Sequence, residues 1–290
     1  NTLAANFITK RTNTIGVSVP LINSHFFSSV ISGIEEVAYK KGFTVTISPS
    51  NDLLEKESKI AQTLFANRVD GVIISIAMET TNFDHLKLFT SKNIPIVFFD
   101  RVVDEIKSHK IVVDDFGGAY RATRHLAEMG SIRIAHIGGP LNLNIYKNRQ
   151  EGYFKALSDL GLNNDESLVI NNNLTREQGI DAVQKLLNLS EKPDAIFCAN
   201  DTTAQSVIFH LKNNGYKVPD DIAVVGFSNE PFSEMVTPSI STVMQPGFLI
   251  GIKSADLLIE QILNKQKEIE FQTIVLPTDL IIRESSVRHK

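Results

Sequence analysis

The residues of this sequence that could bind a ligand stand just after short apolar segments. They are Asn23, His25, Phe26, Phe27, Asp100, Arg101, Asn144, Tyr146, Arg149, Asn171, Asn172, Asn173, Asn200, Asp201, Ser228, Asn229 and Glu230. Amides, carboxylates and an arginine make directed hydrogen bonds to hydroxyl groups, and aromatic faces cover the C–H surface of a sugar ring. The set favours a site for a small polyhydroxylated molecule.

Several of these residues also have a purely structural interpretation. Asp201 precedes a helical pattern and is a good N-cap candidate. Ser228 and Asn229 could simply shape a turn. Arg149, as a lone arginine on a helix face, could form a surface ion pair. For each of these residues, both the structural role and contact with a ligand remain open.

Other candidates carry a stronger functional signal. Asp100 ends an apolar strand, where acidic residues are disfavoured, and this favours a functional role. Phe26 and Phe27 lie in the first turn of an amphipathic pattern. We expect one ring to pack in the core and at least one to line the ligand site.

Signatures of enzymes and metal sites are absent from the sequence. It contains no G-x-S-x-G, H-E-x-x-H, C-x-x-C or phosphate-binding G-x-x-x-x-G-K-[ST] pattern, and its seven histidines lack metal-ligand spacing. The single cysteine, Cys198, lies in an apolar strand and is interpreted as a buried side chain. We therefore expect a binding protein without catalytic residues, metal or cofactor.

Composition narrows the class of partner. The 290 residues carry a net charge of −4, with a sequence pI near 6.0. A protein that coats nucleic acid needs a basic surface, which this balance does not supply. No apolar run approaches the roughly 20 residues of a membrane helix, and no secretory signal pattern opens the chain. We expect a cytoplasmic protein that does not interact with membranes.

The elements that must position these residues follow from an alternation of apolar strands and helical patterns. Nine apolar segments are predicted as strands: "TIGVSVP", "FTVTISP", "DGVIISI", "IPIVFFD", "KIVVDD", "IRIAHIGG", "SLVINN", "DAIFCAN" and "IAVVGFS". Helices are predicted between them, near residues 24–41, 56–68, 83–92, 117–128, 147–160, 176–187, 202–214 and 248–264. Continuously apolar strands such as "DGVIISI" and "DAIFCAN" predict parallel sheets covered by helices. The pattern predicts an α/β protein with two Rossmann-like, doubly wound parallel-sheet lobes, ligand binding beyond the carboxyl ends of the strands, and several crossovers between the lobes. The tail "TIVLPTDLIIRESS" can supply a last strand to either lobe. The predicted division assigns residues 14–113 and 246–273 to the N-terminal lobe, 114–245 and 274–290 to the C-terminal lobe, and 1–13 to a separate segment.

The motifs and their order resemble the lactose-repressor (LacI/GalR) family of bacterial transcription regulators. The resemblance extends from "NTLAANF" through "IPIVFFDR", "VVDDFGGAY", "NRQEGYFKAL", "AIFCANDTTA" and "VVGFSNEPFSEMVTPSISTVMQP". It implies a periplasmic-binding-protein-like effector domain with its ligand in the cleft between the lobes. It also implies that a helix-turn-helix headpiece precedes Asn1.

The resemblance implies roles for particular residues. Phe26 and Phe27, Asp100, Arg149, Asn200 and Leu174 match effector contacts of the family. Ser228 stands where most members have aspartate, and Asn229 or Glu230 could replace the lost carboxylate. The first seven residues match a hinge helix that folds on operator DNA, and Asn1, Ala4 and Phe7 are its candidate contacts, with Phe7 as an apolar wedge in the minor groove.

The resemblance also implies partners. We expect a homodimer, a sugar-like small-molecule effector, and operator DNA bound only through the preceding headpiece and the hinge. The dimer is expected beside the helix that carries Val30, Ile34, Val37 and Ala38 on one stripe. The alternative is a periplasmic sugar-binding protein of a transport system, which would be monomeric. An enzyme ranks third, because no nucleophile or metal constellation is present.

Overall fold

A computed structural model describes residues 11–264 and 270–288, which fold into two compact units. The first unit draws on Asn1–Val113 and Pro246–Leu276, and the second on Asp114–Gln245 and Pro277–Lys290. The chain therefore passes from one unit to the other at 113–114, 245–246 and 276–277. The last of these boundaries lies three residues after the predicted one, because residues 273–276 form a strand of the first unit.

Helices and strands alternate through both units. The strands are β1 (Thr14–Val19), β2 (Thr44–Pro49), β3 (Gly71–Ile74), β4 (Ile96–Phe99), β5 (His109–Val113), β6 (Ile134–Gly138), β7 (Val169–Asn171), β8 (Ala195–Cys198), β9 (Ala223–Ser228), β10 (Ser241–Met244), β11 (Thr273–Leu276) and β12 (Asp279–Ile281). The helices are α1 (His25–Lys40), α2 (Leu54–Ala66), α3 (Lys87–Thr90), α4 (Asp115–Glu128), α5 (Asn144–Asp159), α6 (Arg176–Leu187), α7 (Asp201–Asn213) and α8 (Gly247–Leu263). The helix predicted near residues 83–92 is reduced to the single turn α3.

The first unit contains a six-stranded sheet in the order β11-β5-β4-β3-β1-β2, and every neighbouring pair is parallel. All residues of β3 and β4 are buried, which explains why their sequences are continuously apolar rather than alternating. Edge strand β2 is partly or fully exposed along its length. The predicted parallel sheet is confirmed here.

The second unit contains a six-stranded sheet in the order β12-β10-β9-β8-β6-β7. Its strands are parallel except for β12, which runs antiparallel to β10. The sequence did not predict β10. The segment "TIVLPTDLII", which was expected to supply a last strand to either lobe, supplies β11 to the first unit and β12 to the second.

Close helix contacts complete each core. A side chain at Gly33 of α1 would come within 2.2 Å of the Phe248 carbonyl oxygen, and one at Gly251 of α8 within 2.0 Å of the Val30 carbonyl oxygen. Glycine at both positions therefore permits α1 and α8 to touch backbone to backbone. The apolar stripe of α1, which includes Ile34, is buried in the core of its own unit. In the second unit, a side chain at Gly152 of α5 would come equally close to the carbonyl oxygen of Phe116 in α4.

No helix in the described part of the chain has the length and apolar character needed to cross a membrane.

Candidate functional site

Arg149 forms a buried ion pair with Asp115 in the second unit. Its Nε donates to Asp115 Oδ1 at 2.8 Å, and its Nη2 lies 2.7 Å from the same oxygen. Its Nη1 donates to the carbonyl oxygen of Ala199 at 2.7 Å. Arg149 is only 3% exposed and Asp115 only 1%, so the alternative of a surface ion pair at Arg149 is wrong.

Aromatic rings surround the guanidinium of Arg149. Its Cζ lies 3.7 Å from the ring centroid of Phe227 and 5.7 Å from that of Tyr146. The Phe227 contact is a close cation–π interaction, which strengthens when the cation is removed from water. The Tyr146 ring packs directly against Gly139, where the Cβ atom of any other residue would lie 2.3 Å from the ring. The two rings and the ion pair with Asp115 therefore fix the direction in which the Arg149 guanidinium points.

Four elements converge on this arginine. Arg149 projects from α5, Asp115 lies in the first turn of α4, Ala199 directly follows β8, and Phe227 lies near the end of β9. The N-terminus of a helix favours a negative charge, so α4 helps to hold the Asp115 carboxylate. Buried ion pairs seldom add net stability, because desolvation offsets their attraction. A buried arginine at the carboxyl ends of parallel strands is therefore a functional candidate.

Asn200 and Leu174 are both hydrogen-bonded to Thr203, in the first turn of α7. The side-chain oxygen of Asn200 accepts a hydrogen bond from the Thr203 backbone N–H at 2.8 Å and caps the helix. Leu174 is 3% exposed and has a left-handed φ of 57°. Its carbonyl oxygen accepts a hydrogen bond from Thr203 Oγ1 at 3.3 Å. Both predicted residues thus lie on loops at the carboxyl edge of the second sheet.

Asp201 has a different role from the one that the sequence suggested. It is not the N-cap of α7, because that position belongs to Asn200. Its side chain is fully buried and accepts hydrogen bonds from Thr242 Oγ1 at 2.6 Å, the Glu230 backbone N–H at 2.8 Å and Ser233 Oγ at 3.0 Å. Burial raises the pKa of the Asp201 carboxyl. Asp201 therefore stabilises the loop after β9.

That loop begins with two residues in unusual backbone conformations. Ser228 has a φ of 113° and Asn229 a φ of 53°, and both values lie in a region that residues other than glycine rarely adopt. The Asn229 backbone N–H donates to Thr242 Oγ1 at 3.2 Å. The Asn229 Oδ1 atom accepts from Arg283 Nη2 at 2.9 Å, and Arg283 Nη1 donates to the Ile240 carbonyl oxygen at 2.8 Å. The expected replacement of a carboxylate by Asn229 is limited, because its side-chain oxygen is already in use.

The candidates of the first unit occupy its core and one strand end. Phe26 and Phe27 are 7% and 5% exposed, and their rings pack edge to face with centroids 5.1 Å apart. The Phe27 ring also lies 6.2 Å from that of Phe99. Both phenylalanines belong to the core of the unit, whereas only one was expected there. Asp100 directly follows β4, is buried, and has a left-handed φ of 58°.

Arg101 fastens the loops next to Asp100. Its Nη1 contacts Asp52 Oδ1, and the same carboxylate oxygen accepts from the Met78 backbone N–H at 2.9 Å. Glu57 holds the same region from α2, because its buried carboxylate accepts from Thr80 Oγ1 and contacts His85 Nε2, both at 2.8 Å. The loops after β2, β3 and β4 are therefore tied together at the carboxyl edge of the first sheet.

The remaining predicted residues are placed as follows. Asn144 is the first residue of α5, in the same helix as Arg149. Asn1, Ala4 and Phe7 lie outside the described residues. Within residues 11–264 and 270–288, no group of three or more histidine, cysteine, aspartate or glutamate side chains is arranged to hold a metal ion.

Sequence reasoning missed three residues of this site. Asp115 directly follows "KIVVD", so it stands at a strand end like the other candidates and carries the same signal. Phe227 directly precedes the predicted Ser228 and closes an apolar run that is typical of a core strand. Arg283 lies 54 residues from Asn229 in the chain, and no local pattern connects them.

Comparison with known proteins gives consistent matches. Residues 12–284 match the family described as periplasmic binding proteins and sugar binding domain of the LacI family. A transcriptional repressor, PurR, from Vibrio atlanticus is 31% identical over 257 residues, covering 89% of this chain and 77% of that protein. A ribose operon repressor from Halalkalibacterium halodurans is 33% identical over 290 residues, covering 99% and 83%. The solved complex of the transcriptional regulator CelR with cellobiose superposes with a TM-score of 0.87 at 27% identity, covering 98% of this chain and 89% of that one.

Proposed function

The chain belongs to the LacI family of transcription regulators, as its effector-binding part, and on that premise we propose that it binds a sugar-like effector through Arg149. The observation that carries this proposal is the buried arginine held by Asp115 and Ala199 at the carboxyl ends of β8 and β9. In open α/β sheets this edge is where ligands bind.

The hydrogen-bond inventory of Arg149 supports a role in binding. An arginine side chain has five N–H groups. The contacts with Asp115 and Ala199 involve Nε, Nη1 and Nη2. By this count, one N–H on each terminal nitrogen remains for a ligand. Two such donors match adjacent hydroxyl oxygens of a sugar, or the paired oxygens of a carboxylate or phosphate.

We propose further effector contacts at the strand ends. In the second unit they are Asn144, Tyr146, Leu174, Asn200, Ser228 and Asn229, and in the first unit Phe26, Phe27 and Asp100. Asp201 stabilises the loop that carries Ser228 and Asn229, because its carboxylate accepts hydrogen bonds from Glu230 and Ser233 of that loop and from Thr242.

The experiment that tests this function is a thermal-shift screen of the 290-residue chain. The probes are ribose, cellobiose, a sugar phosphate and hypoxanthine, because a ligand that binds only the folded state raises the melting temperature by mass action. A probe that stabilises the wild-type chain but not the Arg149→Ala variant supports the proposal. A probe that stabilises both equally places the ligand away from Arg149 and contradicts it.

PurR, the ribose operon repressor and CelR are transcription regulators, which are not enzymes. We propose that this chain also binds its effector without converting it. Mass spectrometry of the best probe after long incubation with the chain should return it unchanged. These relatives give no support to the alternative of a transport protein.

We propose operator DNA as the second partner, bound by a helix-turn-helix headpiece ahead of Asn1. In this proposal residues 1–7 are the hinge segment, and Asn1, Ala4 and Phe7 are its candidate DNA contacts. We propose that the protein acts in the cytoplasm, because bacterial DNA resides there.

We also propose a homodimer, with a groove of the second unit as part of its interface. The groove has a volume of about 290 Å³ and is lined by Gln205, Ile208, Phe209, Lys212, Asn213, Val236, Thr237 and Ile240. A two-fold interface brings the same patch of two copies together, so it must avoid like charges. Lys212 is the one charged residue of this lining, and its Nζ is held by the Thr237 carbonyl oxygen at 2.6 Å. Phe209 is 49% exposed, which leaves apolar surface for a second copy.

A further inference from the structure

We propose that Arg283 is a positioning residue for the effector site: it holds the turn Ser228–Asn229 in its left-handed conformation from the C-terminal segment. This inference rests on the proposed function, because it assigns a purpose to the shape of the loop after β9. Arg283 lies just after β12 and 54 residues from Asn229 in the chain.

The contacts of Arg283 form a fork. Nη2 donates to Asn229 Oδ1 at 2.9 Å and Nη1 donates to the Ile240 carbonyl oxygen at 2.8 Å. A guanidinium has only donors, so the atom of Asn229 that faces it must be the amide oxygen. The planar fork joins the loop after β9 to the residue before β10. A lysine ammonium, which is a single point, cannot reproduce it.

The turn needs such support because its backbone is costly. Two consecutive non-glycine residues with positive φ are strained, and strain persists only where the surroundings over-determine it. Asp201 holds the far side of the turn through the Glu230 backbone N–H and Ser233 Oγ. Thr242 Oγ1 accepts a hydrogen bond from the backbone N–H of Asn229 within the turn. Arg283 supplies the contact to the Asn229 side chain.

The C-terminal segment is itself anchored, so it can support the turn. Ser241 Oγ lies 2.6 Å from Ser286 Oγ and accepts from the Arg283 backbone N–H at 2.7 Å. Ser285 Oγ donates to the Val224 carbonyl oxygen at 2.6 Å. All three serines are buried. Residues 282–286 are therefore a fixed support for the ligand-binding edge.

The chain offers a matched control in Arg288. This residue also lies in the C-terminal segment and also donates to backbone oxygens, those of Pro219 at 3.2 Å and Asp194 at 2.6 Å. Neither acceptor belongs to the loop after β9. Arg288→Ala therefore removes a comparable anchor of the segment without touching the turn.

The first test needs no ligand. Ser228→Gly removes the strain at φ 113° and should raise the melting temperature of the wild-type chain by about 2 °C. In an Arg283→Ala background the turn is released, so the same substitution should no longer raise it. In an Arg288→Ala background the gain should persist. Equal effects of Ser228→Gly in all three backgrounds overturn the proposal, because they show that Arg283 does not hold the turn.

The second test measures the effector site. Hydrogen exchange of residues 228–234 should accelerate at least roughly tenfold in Arg283→Ala and Arg283→Lys, and stay unchanged in Arg288→Ala. The affinity for the probe that most stabilises the wild-type chain, among ribose, cellobiose, a sugar phosphate and hypoxanthine, should fall by a similar factor in the same two variants. Unchanged exchange and affinity in Arg283→Ala overturn the proposal. If none of these probes stabilises the wild-type chain, the proposed function fails, whereas the melting and exchange experiments still decide on Arg283.

Discussion

Arg149 directs two of its nitrogens at a single oxygen of Asp115, and these residues lie 34 positions apart in the chain. The pair joins the first turn of α4 to the middle of α5, the two helices that also meet at Gly152. Such a contact makes the position of the arginine depend on the packing of the whole second unit.

The first prediction concerns the stability that depends on this pair. Asp115→Ala should lower the free energy of unfolding by about 3–5 kcal/mol, because it leaves the buried Arg149 charge uncompensated. Arg149→Ala should have a similar effect. The double variant should lose less free energy of unfolding than the sum of the two single losses. Urea denaturation of the wild type, the two single variants and the double variant measures this coupling.

The control for this cycle is the exposed pair of Arg124 and Glu128 on α4, joined at 2.8 Å. Arg124→Ala should change stability by no more than about 0.5 kcal/mol, because exposed helix pairs contribute little. Strictly additive effects of the Asp115 and Arg149 substitutions would show that the two side chains do not form a pair in solution.

The second prediction concerns effector affinity. Arg149→Lys keeps the positive charge but loses the forked donors, so affinity for the best probe of the screen should fall at least roughly tenfold. Calorimetric titration measures the change, and sedimentation of the variant should remain that of the wild type. Lysine that binds as well as arginine would mean that the site recognises charge alone.

The third prediction concerns acid stability and His136. This ring is stacked between Tyr153 and Phe197, with centroids 5.1 and 4.9 Å away. Burial lowers the pKa of His136 from its ordinary 6.5 to about 4. Between these values the unfolded chain binds a proton that the folded protein does not. The stability that His136 contributes is therefore complete above pH 6.5 and is lost as the pH falls towards 4, by about 3 kcal/mol in total.

Urea denaturation between about pH 7 and pH 4 measures this loss. His136→Phe keeps an aromatic ring in the stack and should make the loss of stability on acidification smaller. Part of the slope should remain, because burial also lowers the pKa of His109 and of His125. An unchanged slope in the variant would show that His136 is not the dominant titrating group.

The fourth prediction concerns assembly. Phe209→Glu places a carboxylate in the groove near Val236, and in a two-fold interface the charge appears twice. We expect the wild-type chain to sediment as a dimer at micromolar concentration and the variant as a monomer. Ile132→Glu, at a side chain that is 73% exposed and outside the groove, should leave the dimer intact. A monomeric wild-type chain would argue against the proposed dimer.

The fifth prediction concerns DNA. The 290-residue chain, with a net charge of −4, should show no sequence-specific operator binding in a gel shift at moderate salt. Fusion of a helix-turn-helix headpiece ahead of Asn1 should produce specific binding with a steep salt dependence. Tight specific binding by the chain alone would place the DNA contacts elsewhere.

Local pattern predicts most of the framework. Nine apolar segments are predicted as strands, and all nine are strands in the structure, because short runs rich in β-branched residues differ clearly from helical patterns. The helix Arg176–Leu187 is predicted with its observed bounds, and in the structure the Thr175 side chain caps it by accepting a hydrogen bond from the Gln178 backbone N–H. The strand Ser241–Met244 escapes prediction because half of its residues are polar, and its pairing with β9 and β12 makes it a strand.

For the candidate site, too, the sequence determined some features and the tertiary structure decided the others. The sequence by itself determined that polar residues such as Arg149, Asn200 and Ser228 stand at the carboxyl ends of parallel strands, because strand ends can be read from local patterns. Only the tertiary structure decided that Arg149 pairs with Asp115, that Asp201 is enclosed by the loop after β9, and that Arg283 reaches Asn229. A periodic pattern reports which face of an element is buried, whereas the partner of a buried charge depends on which distant elements meet, and packing alone determines that.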